Sequence, residues 1–489
     1  MAPQSIRMMA LFLGLVQASS FLNLTSLYGS GLSPGAEIFY ASDPSFGSEA
    51  TPRWTVIDAP SFYGAIKPAT ESDVQHIVKV SVAHDIPFLA TGAGHGASST
   101  LARLQEGVQI DLSSFKTVQL DASNNVLQVG GAAVFSQLYD PLFEAGKELP
   151  LGNAKCVGVI GATLGGTVGI FQGLYGLGLD SLKSVRLVTA TGDLLTASAT
   201  QNADLFWGIR GAGANFGIVL SATFEVHDAP NGGILTSSDF LFPPSANESV
   251  WEALKTFDDD IPDELAIYTY IIFNATAQVP LIAVNAIYHG PSSEASKYMA
   301  PFIAAGPLMT DAVETPWTKW SDVALFGLAA ADTSSCTPGQ HSNGYGVGIK
   351  QTDVATFVSF FNSLAQFWVD HPSLSGTVVV ERLPNRVVAS VPDSSTAYGH
   401  RGIKTHILLE NYYNDTALDA EVNDFNRAAR AQFQATSGLD QLSVYVNFAH
   451  GDEGPGVWYS EQKLPGLTRL KRQWDPQQAF SWYFPVPLR

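Results

Sequence analysis

Cysteine and charged residues are both scarce in this chain of 489 residues. Only Cys156 and Cys336 are present, so at most one disulfide can form, and a core of this size does not require one. The sequence leaves open whether the two cysteines pair. Charged residues make up 15% and hydrophobic residues 46% of the chain, a balance that excludes a disordered protein.

Basic residues are outnumbered, with 26 Lys and Arg against 45 Asp and Glu, and the formal net charge is -19. No basic cluster interrupts this acidic background. Because such a field repels phosphate backbones and anionic membrane surfaces, we expect neither a nucleic acid nor a membrane as partner. A small-molecule partner that is neutral or cationic fits better.

The motifs of several enzyme classes are missing. The ten histidines are scattered, and the chain has neither an H-E-x-x-H motif nor a Cys/His cluster that would indicate a metal site. No G-x-S-x-G elbow of a hydrolase occurs. A G-x-G-x-x-G loop that opens a long helix, with an acidic residue about 20 positions later, is also missing, which disfavours an ordinary Rossmann domain.

Long apolar runs are confined to the N-terminus. Residues 1–20 place Arg7 before the apolar run Met8–Val16 and small residues after it, the pattern of a secretory signal peptide. A buried N-terminal helix is the alternative. We expect a secreted glycoprotein, because four Asn-x-Ser/Thr sequons follow, at Asn23, Asn247, Asn274 and Asn414.

The chain is longer than the roughly 250–300 residues at which a single hydrophobic core stops growing, so two domains are expected. Periodicity predicts a β-α-β unit with its helix over Thr70–His84, and a hairpin that turns at 191–193. Later runs predict an antiparallel sheet with helices on one face. The predicted divisions are a signal peptide (1–20), an entry segment with little regular structure (21–59), an α+β domain (60–230), a second domain (231–441) and a segment returning to the first domain (442–489).

Two glycine-rich loops mark the first domain. The loop Thr91–Ser99 (TGAGHGASS) follows a strand and leaves backbone N–H groups uncovered, a surface suited to phosphate oxygens. An ordinary glycine turn would look similar. The second loop, Gly158–Gly169 (GVIGATLGGTVG), also resembles a backbone cradle, and the two together indicate a large cofactor.

Ordered motifs along the chain carry a family resemblance. They include P-A-T-E-S-D-V-Q, G-A-G-H-G, G-V-I-G-A-T-L-G-G, N-A-D-L-F-W-G-I-R-G-A-G-A-N-F-G-I-V and Y-V-N-F-A, between about residue 55 and the C-terminus. In these the chain resembles the berberine bridge enzyme-like flavoproteins of the vanillyl-alcohol oxidase superfamily, in a group common in fungi. The resemblance implies an α+β fold: a PCMH-type FAD-binding domain of two α+β subdomains and a substrate domain with an antiparallel sheet covered by helices.

The resemblance also implies FAD held covalently by His95, which would bond to the flavin 8α-methyl carbon. Relatives with a second link have a cysteine where this chain has Ala154, so a single link is expected. Thr167 replaces a glycine common in the family, and its side chain would have to face away from the flavin. The implied cofactor-binding positions are Thr91, Gly92, Ala93, Gly94, His95, Gly96, Ser99, Gly158, Gly161, Thr163, Gly165, Gly166, Gly217, Ile218 and Asn447.

Flavin oxidations need a base near the substrate, and the resemblance places Tyr445 beside the flavin as base or orienter. A strand tyrosine packed between the domains is the alternative. Further polar candidates, for which a structural hydrogen bond is the competing explanation, are Glu410, Tyr412, Asp452, His400 and Arg401.

The expected function is an FAD-dependent oxidase of an alcohol, amine or polyketide-type molecule in fungal secondary metabolism, with molecular oxygen as acceptor. A secreted oligosaccharide or sugar oxidase is one alternative, favoured by an open groove lined with aromatic residues. A closed apolar pocket favours the pathway enzyme. A non-catalytic secreted flavin-binding protein is the alternative from another class.

Overall fold

The computed structural model describes residues 22–274, 279–331 and 333–489, so the predicted signal peptide lies outside the described residues. The first sheet contains the predicted β-α-β unit. Its strand order is β1-β2-β4-β3, with β2, β4 and β3 parallel. The strands are β1 (Glu37–Tyr40), β2 (Phe62–Lys67), β3 (Phe88–Thr91) and β4 (Gly107–Asp111).

The entry segment contains short regular elements separated by irregular chain, in line with the limited regular structure expected. It contains the helices α1 (Leu24–Tyr28) and α2 (Phe46–Glu49), and it also supplies β1 at the edge of the first sheet. Leu24 and Tyr28 are buried in the core under this sheet. The segment is therefore held by apolar contacts that its Ser, Gly and Pro content conceals.

The predicted helix of the β-α-β unit is confirmed as α3 (Glu71–Ala83). Thr70 and Asp73 form a capping box at its N-terminus, which satisfies backbone donors that the helix leaves free. The Asp73 carboxylate also accepts hydrogen bonds from the backbone and hydroxyl of Ser33, at 2.7 Å each. This one side chain thus caps α3 and fixes the entry segment against it.

A second, antiparallel sheet has the order β5-β6-β10-β8-β9. The predicted hairpin is confirmed between β8 and β9, where Gly192 has φ +74° in the turn. Strands β7 and β11 form a separate pair. The strands are β5 (Val118–Asp121), β6 (Val126–Gly130), β7 (Lys147–Glu148), β8 (Leu182–Val188), β9 (Leu194–Ser198), β10 (Ile218–Glu225) and β11 (His227–Asp228), and the helices are α4 (Ser136–Glu144), α5 (Val159–Gly165), α6 (Gln172–Tyr175) and α7 (Ala203–Ala212).

The third sheet has seven strands in the order β15-β12-β14-β13-β17-β18-β16, and every pairing is antiparallel, as expected. The strands are β12 (Ile234–Phe242), β13 (Leu265–Asn274), β14 (Val279–Tyr288), β15 (Met309–Pro316), β16 (Ser342–Ile349), β17 (Ser375–Arg382) and β18 (Thr405–Tyr412). The helices of this region are α8 (Asn247–Lys255), α9 (Ser292–Ala295), α10 (Ala300–Ala304), α11 (Trp320–Val323), α12 (Leu328–Ala331), α13 (Val354–Asp370), α14 (Arg386–Ser390) and α15 (Asp419–Thr436).

Alternate residues of the seven-stranded sheet enter two different cores. Ile267, Val380 and Ile407 belong to the core that the sheet forms with α8, α13 and α15. Ala266 and Tyr268 belong to the core of the first domain. Because successive strand residues point to opposite faces, the helices cover one face and the first domain faces the other.

The C-terminal segment, with α16 (Pro455–Tyr459) and α17 (Leu464–Trp474), packs on the first domain. Lys471 is fully buried, and its ammonium donates to the Asp475 carboxylate at 2.7 Å and to the carbonyls of Asn215 and Phe480 at 2.9 and 2.8 Å. The strands β2–β11 fall in the range 60–230 and β12–β18 in 231–441. The domain limits themselves stay predictions.

Replacing Lys471 with methionine should strongly destabilise the fold. The change leaves the Asp475 carboxylate buried without its ion-pair partner, which costs about 3–5 kcal/mol in other buried pairs. Denaturation in urea, followed by tryptophan fluorescence, measures the loss. Arg472→Met is the matched control, because Arg472 is exposed on the same helix and its loss should change the free energy of unfolding by less than about 0.5 kcal/mol. Equal losses in the two variants would contradict this account.

Candidate active site

A cavity of about 810 Å³ lies where the first domain meets the seven-stranded sheet. The loops after β3 and before α5 line one side, and residues 445–450 and 480–483 contribute from the C-terminal segment. Strands β12, β13, β14, β17 and β18 line the opposite side. The cavity thus joins the cofactor loops predicted from the sequence to a face of the sheet.

The first glycine loop lies along the cavity wall and needs its glycines for close packing. A Cβ on Gly94, where φ is +71°, would lie 2.1 Å from the Pro52 carbonyl oxygen. A Cβ on Gly92 would lie 2.8 Å from the carbonyl oxygen of Gly131. All predicted residues of this loop line the cavity, namely Thr91, Gly92, Ala93, Gly94, His95, Gly96 and Ser99.

His95 is enclosed on two sides by residues far away in the sequence. Its ring stacks on Trp54 with centroids 4.7 Å apart, and its Nε2 lies 2.7 Å from the Ser335 carbonyl oxygen. Burial lowers the pKa of His95. Hydrogen bonds to the backbone of Ser335 and of His95 itself oppose this shift, and the nearby charge of Arg53 adds a smaller lowering. The imidazole is therefore mainly neutral near pH 7, with a nitrogen lone pair available.

The residues of the second glycine loop have two roles: some line the cavity, and others make room for side chains of the C-terminal segment. Gly158 and Gly161 line the cavity, and a Cβ on Gly161 would meet nothing within 4 Å, so its backbone is open to a bound molecule. Residues 217 and 218, at the start of β10, line the cavity as expected. The cavity-lining residues of these two segments among our predictions are Gly158, Gly161, Gly217 and Ile218.

Thr163, Gly165 and Gly166 do not line the cavity, which corrects their prediction as cofactor contacts. Thr163 donates its hydroxyl to the carbonyl of Val159 at 2.8 Å inside the helix. A Cβ on Gly165 would lie 2.2 Å from Asn447 Oδ1, and one on Gly166 would lie 3.0 Å from the Tyr445 ring. These two glycines make room for side chains of the C-terminal segment.

Tyr445 and Asn447 form a hydrogen-bonded group at the cavity wall. The Tyr445 hydroxyl accepts from Asn447 Nδ2 at 2.6 Å and from the Thr167 backbone N–H at 3.0 Å. Thr167 has φ +62°, and its side chain packs on Gly178, as the expectation that it faces away requires. Burial raises the pKa of Tyr445 above its usual value, so the phenol is protonated near neutral pH.

The sheet side of the cavity is one face of five strands, to which Ser342 and Gly344 of β16 add at one edge. Directly opposed residues such as Ala283 and Tyr270, Tyr270 and Val379, and Val379 and Leu408 share this face. Five of the ten side chains are aliphatic, and the other five carry hydroxyl or carboxyl groups. The face consists of Leu241, Tyr270, Ile272, Ala283, Thr377, Val379, Glu381, Leu408, Glu410 and Tyr412.

Glu381 is the functional candidate that the sequence did not reveal. It is 4% exposed, its Oε1 accepts from Asn153 Nδ2 at 3.1 Å, and its Oε2 has no hydrogen-bond partner among the described residues. Burial raises the pKa of Glu381 to about 8, the Glu410 carboxylate raises it as well, and the Asn153 hydrogen bond opposes them. A buried carboxyl group that titrates near neutral pH and borders a cavity is typical of an acid–base catalyst.

The other polar candidates fall into two groups: those that line the cavity and those that make structural contacts elsewhere. Glu410 and Tyr412 line the cavity. Asp452 instead forms a two-point ion pair with Arg430, at 2.8 and 2.9 Å. Arg401 pairs with Asp180 at 2.7 Å, and His400 is buried with Nε2 3.2 Å from the Trp458 carbonyl oxygen. These last contacts are structural.

Cys156 and Cys336 form a disulfide, which answers the question that the sequence left open. The bond connects the segment before α5 to residues 333–341, which follow α12. Cys336 lines the cavity, as do Lys155 and Val157 on either side of Cys156. Cys156 therefore has no free thiol.

The sequons differ in access. Asn23 and Asn414 are exposed. Asn247 is buried, its Oδ1 accepts from Trp251 Nε1 at 2.8 Å and its Nδ2 donates to the Val358 carbonyl at 3.3 Å. Because a glycan would displace these contacts, Asn247 is unsuited to glycosylation, contrary to our prediction. The side chain of Asn274 lies outside the described residues.

The donor and acceptor groups of the cavity fit a large polar cofactor. Several buried polar atoms on its wall lack hydrogen-bond partners among the described residues, although buried groups of this kind are normally satisfied. Together with the open backbone of the two glycine loops, they would hold a molecule with many polar atoms and a flat ring. These atoms are Thr91 Oγ1, Asn343 Oδ1, Glu381 Oε2 and Trp482 Nε1.

Two classes of site find no support in the described part of the chain. No group of three or more His, Cys, Asp or Glu side chains could hold a metal ion there. Among the same residues, no helix is long and apolar enough to cross a membrane.

Solved structures share the fold. BBE-like 1 from Physcomitrella patens is 20% identical with a TM-score of 0.82, over 95% of this chain and 99% of that protein. The xylooligosaccharide oxidase from Myceliophthora thermophila C1, in complex with xylobiose, is 23% identical with a TM-score of 0.78, over 95% and 98%. The glucooligosaccharide oxidase from Acremonium strictum, described as carrying 6-S-cysteinyl, 8α-N1-histidyl FAD, is 20% identical with a TM-score of 0.82, over 95% and 98%.

Sequence comparison gives the family. Residues 63–198 match the family described as FAD binding domain. The FAD-linked oxidoreductase azaL of Aspergillus niger is 49% identical over 94% of this chain and 98% of that relative. The FAD-linked oxidoreductase tazG of Aspergillus terreus is 47% identical over 95% of each. The chain belongs to the family of FAD-linked oxidoreductases.

Proposed function

We propose that this enzyme is an oxidase that holds FAD covalently on His95 and removes a hydride from a small, largely apolar alcohol, amine or polyketide-type molecule. The observation that carries the proposal is the cavity, which places the His95 loop opposite a partly aliphatic sheet face containing Glu381. When bound there, FAD would supply the hydride acceptor. Binding, orientation and proton transfer fall to the residues of the chain.

A single covalent link is supported from two directions. The neutral imidazole of His95 opens on the cavity, where a nitrogen can bond to the cofactor. The glucooligosaccharide oxidase from Acremonium strictum has a second link through a cysteine. In this chain the resemblance to the family motif puts Ala154 at the linking position, and the sulfur of Cys156 is already bonded to Cys336.

Proton transfer is assigned to Glu381. A general base works best when its pKa lies near the working pH, and the pKa of Glu381 at about 8 meets this condition. Tyr445 does not, because burial keeps its phenol protonated. Its hydroxyl, fixed by Asn447 and the Thr167 backbone, instead orients the substrate or the cofactor.

The aliphatic residues of the sheet face support an oxidation in fungal secondary metabolism over the oxidation of sugars. Leu241, Ile272, Ala283, Val379 and Leu408 offer aliphatic surface and no hydrogen bonds to the many hydroxyl groups of an oligosaccharide. We propose that molecular oxygen takes the electrons. We also propose that the protein is secreted, which the pattern of residues 1–20 and the exposed sequons support.

An oligosaccharide oxidase is the second candidate, because solved structures of that activity share the fold. Anaerobic mixing with phenols, apolar alcohols, amines and oligosaccharides distinguishes the candidates through bleaching of the flavin absorbance. Bleaching by apolar compounds alone supports the proposal, and bleaching by oligosaccharides alone supports the second candidate. If no compound class bleaches the flavin, a non-catalytic flavin-binding protein is favoured.

His95→Ala should abolish covalent attachment of the flavin while leaving the fold intact. After acid precipitation, the yellow colour should stay with the wild-type polypeptide and appear in the supernatant of the variant. Cys156→Ser tests for a second link, and the flavin that is attached in it should be held through His95 alone. Attachment that persists in His95→Ala would refute the link.

Glu381→Gln should lower kcat by about 10²- to 10⁴-fold, the usual contribution of a general base. In the wild type, kcat/KM should rise with pH and level off above about 8, because only the carboxylate accepts a proton and its pKa is about 8. This ionisation should disappear from the pH profile of the variant.

Glu410→Gln is the matched control for the pH profile. The charge of Glu410 raises the pKa of Glu381, so its removal should move the rising limb to lower pH without abolishing it. If Glu381→Gln keeps the wild-type limb, the base is another residue.

A further inference from the structure

The disulfide lies directly against the partner of His95. The carbonyl oxygen of Ser335, the residue before Cys336, is 2.7 Å from His95 Nε2 and 3.3 Å from the Sγ of Cys156. The disulfide between Cys156 and Cys336 therefore lies directly beside this carbonyl group. Ser335 and His95 both line the cavity, so their contact lies at its wall.

A second set of contacts holds the same loop from the other side. Trp54 stacks on the His95 ring, donates its indole N–H to the Ser334 carbonyl at 3.0 Å, and accepts from the Gln340 backbone N–H at 2.8 Å. The Gly339 N–H donates to the carbonyl of Arg53 at 3.0 Å. Residues 333–341 thus have two anchors, this backbone pairing and the disulfide.

The Ser335 carbonyl decides which nitrogen of His95 carries the hydrogen. A carbonyl oxygen only accepts hydrogen bonds, so Nε2 must be the donor in this contact. In a neutral imidazole the other nitrogen, Nδ1, then carries the lone pair. Burial and the charge of Arg53 favour the neutral form.

We propose that the Cys156–Cys336 disulfide promotes the covalent attachment of FAD. It fixes the Ser335 carbonyl on Nε2 of His95 and so presents Nδ1 as the nitrogen that bonds to FAD. The proposal rests on the covalent link proposed above. It adds that the oxidised disulfide determines the rate of the link and the nitrogen used. Cys156 and Ser335 are positioning residues, which act through His95.

The reaction balances with dioxygen as oxidant. A bond forms between Nδ1 and the 8α carbon, and one C–H bond of the methyl group breaks. Two electrons pass through the flavin ring to dioxygen. FAD, the neutral imidazole, dioxygen and one proton give the histidyl flavin, in which Nε2 keeps its hydrogen, and hydrogen peroxide.

The test compares wild type with Cys156→Ser/Cys336→Ser as apoproteins from riboflavin-starved cells, reconstituted with FAD in air. Acid-precipitable flavin gives the rate of attachment, and comparison of the flavin peptide with N1- and N3-histidyl flavin standards gives the nitrogen. Quenching of FAD fluorescence measures non-covalent binding and shows that the variant is folded. Thr337→Ala, in the same loop but exposed, is the control and should attach FAD at the wild-type rate.

We expect wild type to link through Nδ1 alone, and the double variant to bind FAD but attach it at least tenfold more slowly, with Nε2-linked flavin present. Attachment at the wild-type rate through Nδ1 alone in the variant, or an Nε2 link in wild type, would overturn the proposal. Absence of any link in wild type would instead refute the covalent attachment itself.

Should the double variant fail to bind FAD, the same comparison is made on wild-type apoprotein before and after reduction by dithiothreitol. Both cysteines are partly exposed, so the reagent can reach them. Slower attachment that recovers on reoxidation supports the proposal. An unchanged rate with two free thiols titrated contradicts it.

Discussion

The structure depends on a sheet that must bury both of its faces. In the seven-stranded sheet, successive residues alternate between the helix-covered core, which contains Ile267 and Val380, and the face that contains Tyr268 and Glu381. Helices α8, α13 and α15 pack on the first face. The second face is covered by the first domain and by the C-terminal segment, and where that cover stands away from the sheet the cavity remains. Because side chains alternate along each strand, one face of the sheet packs on helices and the other faces the cofactor loops. The substrate surface therefore lies opposite those loops.

Much of the fold could be predicted because it is local. The capping residue Thr70 and the turn at Gly192 each act within a few residues, and the structure has the corresponding helix and hairpin. The regular structure of the entry segment (21–59) could not be predicted from local sequence in this way. Leu24 and Tyr28 are stabilised by a core whose other members lie tens of residues away.

The residues of the candidate site also divide into those that local sequence reveals and those that only the tertiary structure reveals. His95 could be found because a glycine loop and the family motifs around it are contiguous, and the backbone of Gly161 is open to the cavity as expected. Gly165 and Gly166 carry the same motif signal, but they accommodate Asn447 and Tyr445 from the far end of the chain. Glu381 lies in an apolar strand run, and only the pairing of β17 with β13 and β18 shows which face it takes.

An apolar cavity and a useful carboxyl group have a common physical origin. Water would keep the pKa of a glutamate near its ordinary value, whereas burial penalises the charged form and raises the pKa of Glu381 to about 8. The same burial leaves Oε2 of Glu381 without a hydrogen-bond partner among the described residues. The substrate's proton-bearing group can therefore donate the hydrogen bond that water would otherwise have supplied. For Tyr445 burial acts in the same direction but from a higher starting value, so its phenol stays protonated. One environment thus makes the glutamate a base and the tyrosine a donor.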